Sequence, residues 1–154
     1  MNQYFYLFET EFGLLKIESI DSYIVKIELN NPISEKKLKL DPVIENAFLE
    51  ILEFFNGQRK IFTFPIKFNG TNFQNKVWNE LLKIPYGQTV SYKEIAIRIG
   101  NPKACRAVGM ANNKNPLPIV VPCHRVIGSK GSLTGYAYGL SLKEALLKLE
   151  EGTK

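Results

Sequence analysis

The chain has 154 residues, 45% hydrophobic and 23% charged, with a formal net charge of +5. That is enough apolar material for a real core in one domain or two small ones, and the positive balance suits an anionic partner such as nucleic acid. Two cysteines exclude a disulfide framework, and one histidine beside them falls short of a protein-only zinc site, so no structural metal is expected.

Met1-Asn2-Gln3-Tyr4 lacks a basic region followed by a long apolar core, and no run approaches membrane-spanning length. The expectation is a soluble, intracellular protein in a reducing compartment. Tyr4 to Phe8, Leu14 to Ser19 and Tyr23 to Leu29 are short, rich in aromatic and β-branched residues, and separated by Gly13 and Asp21-Ser22. They read as a small antiparallel meander. From Pro42 to Phe55, the apolar residues Ile44, Phe48, Leu49, Ile51, Leu52 and Phe55 recur at helical spacing, and Asn56-Gly57 supplies the stop. Gln58 to Phe68 returns to an extended pattern around Pro65, and Asn69-Gly70 is the expected domain boundary. Lys36, Lys37 and Lys39 read as a solvated loop, and this half carries no catalytic constellation.

The second half is more tightly punctuated. Thr71 with Gln74 has capping-box spacing, and Phe73, Val77, Trp78, Leu81 and Leu82 form an apolar stripe ending at Pro85-Tyr86-Gly87. Ser91 with Glu94 opens a short helix through Ile95, Ala96 and Ile99 that stops at Gly100. Asn101 then offers a cap for a helix with Pro102 at its first position, running through about Met110. Helix, Gly-Asn-Pro turn, helix is the grammar of a helix-turn-helix, a pattern that helical pairs in enzymes also share. In the second helix Ala104, Ala107 and Ala111 form a small-residue face, fit either for a groove or for plain packing, while Arg106 is the residue that packing alone would least require.

Asn112 to Pro118 is a turn-rich connection into Ile119 to Ile127, which holds the only histidine. The β-branched residues there predict a buried strand that ends or bends at Pro122, just before Cys123. Neighbours on a strand face opposite ways, so Cys123 and His124 are expected to cooperate across a bend or through a water; an inert buried thiol beside a surface histidine is the plainer alternative. Gly128 to Gly139 is polar and long enough to wall a pocket. Ser141 with Glu144 makes a third capping box, opening a helix with Leu142, Ala145, Leu146 and Leu149 inward; Glu150, one turn on from Leu146, reads either as partly buried or as a solvated glutamate near the chain end. The order of elements predicts an α+β fold. A small N-terminal antiparallel sheet with a helix, residues 1–69, is read as structural. It is followed by a mainly helical C-terminal domain, residues 70–154, containing the helix-turn-helix and a short active-site strand.

These residues resemble the methylated-DNA–protein-cysteine methyltransferases, also called O6-alkylguanine-DNA alkyltransferases. The matching motifs are Pro122-Cys123-His124-Arg125-Val126, Arg106-Ala107-Val108-Gly109, Asn115-Pro116, Ser91-Tyr92, and Leu146-Leu147 through Glu150. The likeness is strong over Phe73 to Gly152 and weak before it. It implies direct, irreversible, single-turnover transfer of an alkyl group from O6 of guanine in duplex DNA, with O4 of thymine a second candidate, onto Cys123. His124 would act as base through a water, with Glu150 orienting it and Asn115 serving as a hinge. Tyr92 would lie by the rotated nucleotide, and Arg106 would enter the stack left behind. Lys103, Ala104, Cys105, Ala107 and Gly109 would complete a DNA face meeting the minor groove. Tyr136, Ala137, Tyr138 and Gly139 would line the base pocket.

The resemblance implies no cofactor, no metal, no membrane, a monomer, and a cytoplasmic location, or a nuclear one in a eukaryote. Two positions depart from the family pattern: Cys105 stands where alanine is common, and Tyr138 where glycine is frequent. Some members bind zinc through their first domain, but the ligands are missing here. A non-enzymatic damage-binding protein is the alternative, although such relatives replace the acceptor cysteine with tryptophan. A transcriptional regulator or a thiol-redox protein fits less well, for want of a dimerisation helix and of a Cys-x-x-Cys pair.

Overall fold

The computed structural model describes residues 2–30, 39–128, 131–133 and 136–152. The protein is α+β and divides into two compact units, 1–69 and 70–154.

In the first unit, β1 (Gln3–Thr10), β2 (Gly13–Ile20) and β3 (Tyr23–Leu29) form an antiparallel sheet in sequence order. Ile20 pairs with Tyr23, so the second hairpin turns on Asp21 and Ser22, whose φ angles of 50° and 68° match the twist of the strands. Helix α1 (Pro42–Phe55) lies against all three strands and buries Ile44, Ala47, Ile51 and Phe54 completely. Its cap also ties it to the sheet: Asp41 Oδ1 accepts from Ile44 N at 2.9 Å while Oδ2 accepts from Ser19 Oγ at 2.8 Å.

Residues 58–68 do not form a strand of their own. They are held by a single bridge between Ile66 and Ile24, and by buried Glu50, which accepts from Thr63 N at 2.8 Å and Thr63 Oγ1 at 2.6 Å. Lys39 bridges to Phe5, whereas Lys36 and Lys37 lie outside the described residues.

The second unit opens with α2 (Asn72–Leu81), whose capping box is complete in both directions. Val77, Trp78 and Leu81 turn inward, but Leu82 follows the helix and is 41% exposed, so the predicted stripe stops one residue earlier. Strand β4 (Val90–Ser91) leads into α3 (Tyr92–Arg98), capped by Ser91 Oγ. Helix α4 runs Cys105–Asn113, later at both ends than predicted. Asn101 does not cap it. Asn101 to Ala104 instead form a turn closed by Ala104 N on Asn101 O at 3.0 Å, and the first helical bond is Val108 N to Ala104 O at 2.8 Å.

The predicted small-residue face of α4 is therefore split. Ala111 is buried with Val108 and Asn112, Ala104 precedes the helix, and Cys105, Arg106, Ala107 and Met110 face outward. Trp78 Nε1 donates to Ala111 O at 2.8 Å and fixes the helix from within.

Strand β5 (Val126–Ile127) pairs parallel with β4, and α5 (Leu140–Gly152) completes the unit. Helix α5 begins before Ser141, which therefore lies in its first turn instead of capping it. Its buried stripe is Lys143, Leu146 and Glu150, while Leu142, Ala145 and Leu149 are only half-buried. Among the described residues no helix is long and apolar enough to cross a membrane.

Replacing Trp78 by Phe removes the indole donor and some core volume beneath α4, and should cost about 1–3 kcal/mol in urea unfolding. An unchanged midpoint and slope would contradict this anchoring role.

Candidate active site

The segment predicted as a strand through Cys123 is not one. Residues 118–120 form a turn, Ile119 has a φ of 78°, Cys123–Arg125 form a 3-10 turn, and only Val126–Ile127 enter a sheet. The prolines explain the difference, because Pro118 and Pro122 bracket the apolar run and neither can donate a ladder hydrogen bond. In a 3-10 turn successive side chains diverge by about 120°, not by the alternation of a strand. Pairing of β5 with β4 then ties the far end of this turn to the start of α3.

Cys123 is buried at 4% exposure. Its Sγ accepts from Asn115 Nδ2 at 3.1 Å, and the same amide donates to Val121 O at 2.8 Å while Asn115 Oδ1 accepts from Leu117 N at 2.9 Å. Asn112 Nδ2 reaches Cys123 O at 3.4 Å. Two asparagines at the end of α4 thus grip the thiol's own segment. Burial pushes the Cys123 thiol up to about 11, opposed by the Asn115 hydrogen bond and the charge of Lys143. At pH 7 the thiol is therefore protonated, so reaction requires a base to remove the proton or an environment that changes when substrate enters.

His124 is fully buried. Its Nε2 meets Glu150 Oε2 at 2.5 Å, and its Nδ1 has no hydrogen-bond partner among the described residues. Burial lowers His124 below its usual value despite the raising influence of Glu150. The imidazole is therefore neutral near pH 7, with its proton on Nε2 facing the carboxylate and a lone pair on Nδ1. Glu150, 1% exposed, also accepts from Arg125 Nε at 2.8 and 3.0 Å and from Gly87 N at 2.9 Å. Burial alone would raise its carboxyl, but the hydrogen bonds and charges of His124 and Arg125 pull it down to about 2.

Lys143 was not singled out in the sequence. It is fully buried, donates to Val126 O at 2.6 Å, and lies 5.9 Å from the centre of the Tyr92 ring. The inward stripe of α5, with Lys143 three residues before Leu146 and seven before Glu150, was the signal that could have found it. Tyr92, at the first position of α3, is half-buried between Lys143 and Gly109, where a β-carbon would stand 3.9 Å from its ring. Asn112, which the sequence places in a turn, is instead a buried residue of α4 that reaches the thiol segment.

Lys103, Cys105, Arg106 and Ala107 are exposed, with Ala104 and Gly109 half-exposed. Of the proposed pocket loop, Tyr136 is buried, Tyr138 is half-buried with its ring 6.1 Å from that of Tyr136, and Ala137 and Gly139 are exposed. The Tyr136 hydroxyl lies beside the Cys123 thiol, and burial, with the charge of Cys123, pushes it well above its usual value. Thr134 and Gly135 lie outside the described residues.

The family pattern described as 6-O-methylguanine DNA methyltransferase, DNA binding domain, matches residues 72–152. A methylated-DNA–protein-cysteine methyltransferase of Methanosarcina acetivorans is 46% identical over 154 residues, covering 96% of this chain and 97% of its own. The constitutive Bacillus subtilis protein of the same description is 42% identical, covering 96% and 94%. Among solved structures, Mycobacterium tuberculosis OGT in complex with DNA superposes with a TM-score of 0.90 at 40% identity, covering 97% of this chain and 94% of that one.

The two thiols should differ sharply toward a small unspecific electrophile. With iodoacetamide at neutral pH, peptide mass spectrometry of the native protein should find exposed Cys105 labelled well before Cys123, with the difference abolished in denaturant. Earlier labelling of Cys123 would contradict the protonated, enclosed thiol.

Proposed function

Since the chain belongs to the O6-methylguanine-DNA methyltransferase family, we infer that it repairs O6-alkylguanine in DNA by moving the alkyl group onto its own Cys123. The observation that carries the choice of residue is the buried thiol hydrogen-bonded to Asn115, next in sequence to a histidine whose Nδ1 is open and whose Nε2 is held by a carboxylate. In the proposed reaction the Sγ–C bond forms as the C–O6 bond breaks. The electron pair stays with the guanine, and the thiol proton passes through a water to His124 Nδ1. The guanine takes up one proton on release, and the thioether remains, so each molecule acts once. No cofactor enters this scheme.

Asn115 favours the thiolate by donating to sulfur, and Lys143 adds positive charge nearby. Asn115 also joins the end of α4 to the thiol segment, which suits a hinge between binding and chemistry. Helix α4 presents Arg106 outward to enter the stack, and a flipped guanine would sit among Tyr92, Tyr136 and the 137–139 loop. Lys103, Ala104, Cys105, Ala107 and Gly109 complete the surface proposed to meet duplex DNA, bound by a monomer. A reducing cytoplasm suits an acceptor that must remain a free thiol.

Incubation with duplex DNA containing O6-methylguanine should add one methyl group to the Cys123 peptide, and Cys123→Ser should abolish repair. Product in large excess over protein would contradict the single-use scheme, and unmodified Cys123 beside unrepaired DNA would favour a damage-binding protein. Arg106→Ala should weaken repair of duplex substrate, by about 1–3 kcal/mol in DNA binding, while leaving reaction with a free O6-alkylguanine base nearly intact. Equal loss on both substrates would assign Arg106 to the fold.

A further inference from the structure

We propose that Arg125 is a positioning residue for alkyl transfer: it fixes the Glu150 carboxylate so that His124 keeps its proton on Nε2 and offers Nδ1 to Cys123. The proposal rests on Cys123 being the acceptor and concerns a residue that touches neither thiol nor substrate.

A glutamate carboxyl rotates broadly about its last torsion, so a lone carboxylate facing His124 would not hold one orientation. Here Arg125 Nε bridges both oxygens at 2.8 and 3.0 Å, and Gly87 N takes Oε1 at 2.9 Å. Oε2 is left to face His124 Nε2. Arg125 is in turn held fast. Its Nη1 donates to Ile84 O at 2.8 Å, its guanidinium lies 5.5 Å from the centre of the Tyr86 ring, and it is only 6% exposed. Swinging away would orphan a buried carbonyl.

Charge points the same way. Burial is the largest influence holding His124 below its usual value; the charged groups acting on it are Glu150 and Lys143 from α5 and Arg125 from the 3-10 turn. Glu150 alone would draw His124 toward imidazolium, which cannot accept a proton; Arg125 and Lys143 oppose that. Without Arg125 the pair would shift toward the protonated histidine, and the base would be lost first on the acid side.

The test uses a free O6-benzylguanine base, so DNA contacts do not enter, and follows Cys123 alkylation by mass spectrometry between about pH 5 and 9. In the wild type the rate should hold to below about pH 6.5, the unperturbed histidine value, before falling. Arg125→Met keeps the aliphatic stem without the charge. Its acid limb should move up by about one pH unit, giving a rate about tenfold lower at the acid end of the range, about threefold lower at most at pH 7, and recovering toward pH 9. Arg125→Lys should restore the limb with a lower plateau, since a rotating ammonium cannot hold the Glu150 carboxylate and Ile84 O in one fixed plane as the guanidinium does. Equal slowing of Arg125→Met at every pH, or no change, overturns the proposal. If Arg125→Met does not fold, Arg125→Lys carries the test, and behaviour identical to wild type overturns it. A wild type that fails to react would overturn the acceptor assignment first and this inference with it.

Discussion

A carboxylate with almost no access to water is the constraint on which the second unit depends. An uncompensated charge buried in this way is costly, and it persists only where donors surround it. Glu150 finds them in Arg125, Gly87 and His124, which come from the 3-10 turn and from the loop after α2. Helix α5 must therefore dock where residues 84–87 and 123–125 already converge. Arg125 ties those two segments together through Ile84 O. The contacts that satisfy the fold thus include the ones that act on the histidine beside the thiol, alongside its burial.

This shared origin suits an acceptor that is used up. A nucleophile that reacted with any passing electrophile would be wasted, whereas a buried thiol raised to about 11 is quiet until a substrate fits against it. The Asn115 hydrogen bond and the charge of Lys143 both act to lower the thiol, and in the proposed reaction the neutral His124 offers a place for its proton. Activation is built from neighbours and withheld by burial. Cys105, on the surface of α4, lacks both the shelter and this apparatus.

Much of this was legible in the sequence. The meander, α1 and the Thr71 and Ser91 capping boxes follow from period and cap chemistry, and the order of elements points to the α+β class. The errors have local physical causes. Asn101-Pro102 has the composition of a helix start, but the backbone spends it on a turn, so α4 begins at Cys105 with no side-chain cap. Leu142, Ala145 and Leu149 look inward by hydropathy, yet the buried stripe of α5 contains a lysine and a glutamate because tertiary partners await both. Residue type alone could not reveal those partners, which come from segments that are distant in the chain.

The most consequential misreading concerns Ile119 to Ile127, because β-branched residues around a cysteine suggested a strand. A strand would have aimed Cys123 and His124 at opposite faces and left their cooperation to a bend. The prolines at 118 and 122, together with Ile119 in the left-handed region, break the run into turns. A β-branched residue at positive φ is strained by about 1–3 kcal/mol, and here it is fully enclosed, just beyond the Asn115 amide that holds Val121 O. The strain falls on the connection between the helix proposed to meet DNA and the thiol proposed to accept the alkyl group. Packing and the Asn115 hydrogen bonds keep that connection in one conformation.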